Sequence, residues 1–160
     1  MAETRSEPPL LIQAQYIKDL SFENPNAPDI YAGHSENPPE IAVNIDVNPT
    51  PLADRVYEVV LSFRITAKSG EKTAFLVELD YAGVATVNPS VPEEGIEKLL
   101  LVEVPRYLFP FARSTLAEVT REGSFPPLVI NPIDFEQFYH HRKKNSMAAS
   151  GSGEAVASDA

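Results

Sequence analysis

Residues 56–84 read VYEVVLSFRITAKSGEKTAFLVELDYAGV, and this stretch decides the fold. Its first part sets Tyr57, Val59, Leu61, Phe63 and Ile65 against Glu58, Ser62 and Arg64. Its last part sets Phe75, Val77, Leu79 and Tyr81 against Leu76, Glu78 and Asp80. Successive side chains of a strand point to opposite faces, so alternation with period two marks a strand with one buried and one wet face. Ser69, Gly70 and Glu71 between the two runs are turn material. The runs therefore predict two adjacent antiparallel strands, over residues 56–67 and 73–84.

The same alternation recurs upstream. Residues 41–48 place Ile41, Val43, Ile45 and Val47 against Asn44, Asp46 and Asn48, and the prolines of 48–51 read as a turn. Residues 10–23 place Ile12, Ala14, Tyr16, Lys18, Leu20 and Phe22 at even positions, with Asp19, Ser21 and Glu23 at odd ones. Between these strands lies ENPNAPDIYAGHSENPP, with four prolines. It is too long for a tight hairpin and suits a crossover.

Downstream the period changes to that of a helix. Ser90 and Glu93 have capping-box spacing and Pro92 suits a first turn, predicting a helix that stops near Pro105. A second helix carries Leu108, Ala112, Leu116 and Val119 on one stripe, with Gly123 as its C-cap. A third begins at Asn131-Pro132, buries Phe135, Phe138 and Tyr139, and closes on the basic run HHRKK. Four strands followed by two to three helices give an α+β fold, a four-stranded antiparallel sheet with helices on one face. Residues 10–144 are expected to form one domain, between a flexible 1–9 and an Ala/Ser/Gly-rich, disordered 145–160.

Composition narrows the function classes. The 160-residue chain carries a net charge of −10, which opposes binding to nucleic acid or anionic lipid and favours a basic partner. It has no cysteine, so disulfide staples, thiolate metal sites and cysteine nucleophiles are excluded. The amino terminus has no basic region leading into an apolar one, and no apolar run nears the ~18 residues of a membrane span. A cytoplasmic protein without membrane insertion is expected. The three histidines are His34, in the Pro-rich loop, and the adjacent pair His140 and His141, which a helix splays about 100° apart. No metal site, cofactor site or nucleophile motif emerges, and carboxylates on a wet sheet face are poor acid–base catalysts.

If the apolar set of each strand faces the helices, the other face carries Asp19, Glu23, Asp46, Glu58, Glu78 and Asp80, with Arg64 as the sole base. Solvated faces usually mix signs, so this face is biased for a cationic partner. The apolar side is rich in aromatics: Tyr16, Phe22, Tyr57, Phe63, Phe75 and Tyr81 from the strands, with Tyr107, Phe109, Phe111 and Phe125 beyond them. Few short helices cover little area, so part of this set is expected in a groove or a subunit interface.

Several segments resemble the SecB family of protein-export chaperones. KDLSFENPNAP at 18–28, LADRVYEVVLSFRITA at 52–67, EKTAFLVELDYAGV at 71–84, LFPFAR at 108–113 and GSFPPLVINPIDF at 123–135 carry the resemblance. The most specific pieces are SFENPNAP, TAFLVE and LFPFAR. The resemblance implies a non-enzymatic, ATP-independent chaperone that holds unfolded secretory precursors in apolar grooves and delivers them to SecA. It implies a homotetramer built as a dimer of dimers, and a sheet order of first, fourth, third, second strand. Carried over, the SecA-binding positions fall on Asp19, Glu23, Leu76 and Glu78. The client-groove positions fall on Phe22, Val43, Phe75 and Phe111, with the crossover loop as a wall. Phe111 stands where the family often has tyrosine, and the tail has few acids. Two rival readings are a carrier of a small apolar ligand in a sheet–helix cavity and an enzyme using exposed carboxylates.

Overall fold

The computed structural model describes residues 6–33 and 38–153. Four strands, β1 (Leu10–Glu23), β2 (Glu40–Ala53), β3 (Val56–Ser69) and β4 (Lys72–Val87), form one antiparallel sheet in the order β1-β4-β3-β2. β1 and β2 are its two edges, so the segment between them spans the width of the sheet. The expected α+β architecture is therefore present, with helices on the face that carries Leu61, Phe63, Ile65, Val77 and Leu79.

β2 is longer than its alternation predicts. Pro49 and Pro51 do not turn the chain; they stand within the strand, opposite Val59 and Tyr57. Residues two apart direct their amide positions to the same side, and on an edge strand that side can be solvent, where a missing N–H costs no ladder bond. The reversal comes at Arg55 instead, with φ of 56°. Arg55 Nη1 donates to the carbonyls of Asn88 (2.9 Å) and Val91 (3.0 Å), which fixes the turn against the chain leaving β4.

β1 departs from simple alternation. Its pairing with β4 shifts between Ile12 and Ala14 and again between Ile17 and Asp19. Each bulge inserts one residue and flips the facing of the residues beyond it. Between the bulges, Gln15 and Ile17 face the helices and Ala14 and Tyr16 face away. The second bulge restores the original parity, so Leu20 and Phe22 point inward as expected. Tyr16 thus belongs to the polar face, where its hydroxyl donates to Glu58 Oε2.

The helices also differ from expectation. No break occurs at Pro105: α1 (Glu93–Lys98), a π-helical turn (Leu99–Glu103) and α2 (Val104–Glu122) follow one another directly. The π turn, in which Val104 N donates to Leu99 O, widens the bonding just before Pro105, so the helix runs on through a residue that has no N–H to give. Leu100, Leu101 and Val102 of that turn are all buried. Ser90 does not cap α1. The N-cap is Pro92 with ψ of 149°, and Ser90 N instead donates to Asn88 Oδ1 at 2.8 Å. A residue preceding proline is pushed out of the α region, so Val91 cannot enter a helix and the start moves to Glu93. α3 (Phe135–Gly153) is capped by Asp134, whose Oδ1 accepts from Gln137 N at 3.0 Å. It begins later than Asn131 and runs past HHRKK, so residues 145–153 are helical; 154–160, like His34, lie outside the described residues.

Gly123 caps α2 as predicted, with a different division of labour. Phe125 N donates to Thr120 O and Ser124 N to Arg121 O, a Schellman motif whose left-handed residue is Ser124 at φ 63°. Gly123 itself has φ of −79°. It is required by proximity: a Cβ there would lie 2.5 Å from Phe22 Cζ. Gly123→Ala should therefore cost about 1–3 kcal/mol, as overpacking does. Thermal melting checks this, and an unchanged midpoint would mean that the Phe22 ring yields freely.

Candidate functional site

Two surfaces carry the residues singled out in the sequence. The first is the sheet face opposite the helices. Paired residues share a face, so the register lays out its rows. One row reads Asp46, Ser62, Asp80, Asp19; the next Asn44, Arg64, Glu78, Ser21; the next Ala42, Thr66, Leu76, Glu23. Asp19, Glu23, Leu76 and Glu78 thus lie on one face, in three adjacent rows of two neighbouring strands. A depression of ≈ 180 Å³ lies beside three of them, bordered by Glu23, Leu76 and Glu78 with Ser21, Arg64 and Thr66; Asp19 stands outside it.

The charge on this face is less one-sided than the alternation implies, because two further cations reach it. Lys18, in the second β1 bulge, places Nζ 2.6 Å from Glu58 Oε1. Arg142, far along the chain on α3, places Nη1 3.5 Å from Asp46 Oδ1 and donates to Val47 O on the β2 edge. Arg64 Nη1 lies 3.0 Å from Asp80 Oδ1, and its Nε 3.8 Å from Glu78 Oε1. Among the described residues, Asp19 and Glu23 form no ion pair.

The pKa directions reflect these contacts. The bonds from Lys18 and then Tyr16 hold the Glu58 carboxyl below its ordinary value. Glu58 in turn pushes the Tyr16 hydroxyl up to about 12. Asp80, chiefly through its hydrogen bond, raises the Arg64 guanidinium, with smaller charge contributions from Glu78 and Asp19. No group of three or more His, Cys, Asp or Glu side chains among the described residues could hold a metal ion.

The second surface is apolar and lies on the helical side. At one end of the sheet Phe22 stacks on Phe75, with centroids 5.9 Å apart, and Phe125 closes on both at 6.4 and 4.9 Å. The crossover covers this cluster. Ile30 is buried in it, and Asn26 Nδ2 donates to Thr73 O at 2.8 Å. Tyr31 packs its ring on Phe125 at 5.6 Å and donates its hydroxyl to Gly123 O at 2.8 Å. Tyr31 escaped the sequence reading; an aromatic in an otherwise polar, Pro-rich loop was its signal.

The four expected groove residues are not one continuous wall. Phe75 is 2% exposed and belongs to the core in this chain, because Phe22, Phe125 and the crossover roof it over. Phe22 is half-buried. Val43 is 38% exposed beside Ile41 on the helix-facing side of the β2 edge. It shares a row with Ile65, Val77 and Phe22, so three strand spacings, about 14 Å, separate it from Phe22. Phe111, 51% exposed on α2, stacks on Tyr81 with centroids 6.4 Å apart, and Ile17 stands opposite Tyr81 on exposed β1. With exposed Tyr107, this makes a separate apolar patch between the β1 edge and α2.

The layer between sheet and helices is filled by Phe63, Leu79, Leu108, Leu116 and Phe135, each fully buried. This packing does not favour a carrier of an internal ligand. No helix among the described residues is long and apolar enough to cross a membrane.

Comparisons with known proteins agree with this architecture. A family model described as preprotein translocase subunit SecB matches residues 3–146. The protein-export protein SecB of Rhodospirillum rubrum is 50% identical over 149 residues, covering 93% of this chain and 91% of that one. The protein of the same name from Paramagnetospirillum magneticum is 46% identical over 152 residues, covering 94% and 97%. Among solved structures, a SecB-like chaperone of Mycobacterium tuberculosis, determined with a ChAD peptide from an antitoxin, has a TM-score of 0.65 over 78% of this chain and 90% of that chain. At 12% identity that likeness concerns the fold alone.

Proposed function

The chain belongs to the SecB family, and from that premise we propose that it is an ATP-independent cytoplasmic chaperone that holds unfolded secretory precursors and passes them to SecA. The match to protein-export SecB proteins along nearly the whole chain carries the reading. The apolar side chains left open at both sheet edges and on α2 support it, because a lone soluble domain gains nothing from exposing Ile17, Ile41, Val43, Tyr107 and Phe111 together. One part of this surface is assigned to contacts between copies, giving a homotetramer as a dimer of dimers. The patch between the β1 edge and α2 suits that role, which moves Phe111 from the client groove, where the family resemblance places it, to a contact between copies. The other part, at the crossover and the β2 edge, is assigned to clients.

The work is physical rather than chemical. An extended client segment gains roughly 25 cal/mol for each Å² of apolar area it buries. One long client laid over several subunits gains avidity from its own continuity. While held, it cannot complete a core, and release comes from a competitor that engages the chaperone elsewhere. The polar sheet face, remote from the apolar side, is the candidate docking surface for SecA.

Native mass measurement with and without an unfolded precursor tests the reading. The free protein should appear near four times 17.6 kDa and should gain the mass of a client only when the client is unfolded. A monomer at micromolar concentration would overturn the assembly, and equal binding of folded and unfolded forms would overturn the chaperone assignment.

A further inference from the structure

Arg64 occupies a position that SecA docking on the acidic residues leaves without a role. It sits in the middle of the polar sheet face, directly opposite Glu78 in the register. Its guanidinium is anchored to Asp80 at 3.0 Å and stands 3.8 Å from Glu78, beyond hydrogen-bond reach. The side chain is 43% exposed, so it is held by contacts rather than by burial. One cation therefore balances two carboxylates, leaving Asp19 and Glu23 without an ion pair among the described residues.

We infer that Arg64 is a tethered counter-cation that sets the docking threshold of this face, selecting a partner that presents several cations over one that presents a single charge. The inference rests on the proposed docking of a basic surface here. A partner cation approaching Glu78 meets a carboxylate already screened by Arg64, so a lone lysine gains little. A surface that also reaches Glu23, and Asp19 with its weaker coupling to Arg64, gains charges that no ion pair holds, and Arg64 remains with Asp80. The selectivity has a use. Unfolded clients carry scattered basic residues, and an uncompensated acidic sheet would bind them on the wrong face of the molecule.

Calorimetric titration of SecA into the full-length protein, at low and at physiological salt, tests this. Arg64→Gln should tighten docking about two- to fivefold at low salt, the range of one exposed ion pair. It should also raise the affinity for a short peptide bearing a single lysine. Arg64→Lys keeps the charge and should stay near wild type. Asp80→Asn frees Arg64 to close on Glu78 and should weaken docking. An Arg64→Gln variant with the melting behaviour of wild type but equal or weaker docking overturns the role given to Arg64. If Glu78→Lys leaves docking intact, the fault lies instead with the docking face itself.

Discussion

Phe75→Ala is expected to lower the stability of the fold by about 3–5 kcal/mol, the cost of emptying a buried phenylalanine site. The ring is 2% exposed and meets Phe22 on one side and Phe125 on the other. Its removal deprives both of those rings of a shared contact and takes support from Ile30 of the crossover, which belongs to the same core. The family resemblance places Phe75 among client-groove positions, and its burial gives a different expectation. Loss of client binding in Phe75→Ala should come from loss of structure. Phe22→Ala is the informative contrast. Phe22 is half-buried, and truncating it removes the near contact with Gly123, so its stability cost should be smaller while any effect on clients remains. Melting curves of both variants, read beside binding of an unfolded polypeptide, separate the cases. A Phe75→Ala protein that melts like wild type yet loses its clients would return Phe75 to an accessible groove.

The sheet was legible because its signal is local. In β3 and β4 the period-two pattern runs through the whole strand, and the short turn between them leaves no alternative pairing. β1 misled at its centre for a physical reason. Two bulges cancel, so Ile12 and Phe22 satisfy the same parity while Tyr16 does not. Nothing in the local sequence announces an inserted residue. The prolines misled in a similar way. Pro49, Pro51 and Pro105 each read as a stop, yet the first two stand on an edge strand, where the missing N–H has no partner to lose, and Pro105 follows a π turn that carries the helix on through it. On the polar face, Asp19, Glu23, Leu76 and Glu78 came out together because facing is set by parity beyond the second bulge. The cations were harder. Arg142 reaches Asp46 from a distant helix, a contact no spacing rule anticipates, and Lys18 turns outward only because it sits in a bulge. The apolar groove was least legible, since an aromatic ring in the core and one on a groove wall look alike in a sequence.

Glu78→Lys is expected to weaken SecA binding about tenfold or more, roughly 1.4 kcal/mol, while the fold and the binding of clients survive. The fold should survive because Glu78 is an exposed residue at the surface of a sheet whose stability resides on the other side; its side chain is 56% exposed. The reversal does set a lysine directly opposite Arg64, and a like-charge pair across strands costs roughly 0.2–1 kcal/mol. Clients should be unaffected because their proposed surface lies beyond the packed core. Docking should suffer because Glu78 pairs across from Ser21, which puts it diagonal to both Asp19 and Glu23. A cation there repels the partner at the point where three carboxylates would attract it, and Leu76 loses the acidic surround that orients a basic chain over it. Asp19→Ala and Glu23→Ala should act in the same direction with smaller effect, each removing one charge without reversing it. Affinity should also fall with salt, since at 0.1 M charges further apart than about 10 Å no longer feel one another strongly. Calorimetry of wild type and Glu78→Lys at two ionic strengths reads both effects. If neither the reversal nor the salt moves the affinity, this face is only a solvated surface and SecA engages the chaperone elsewhere.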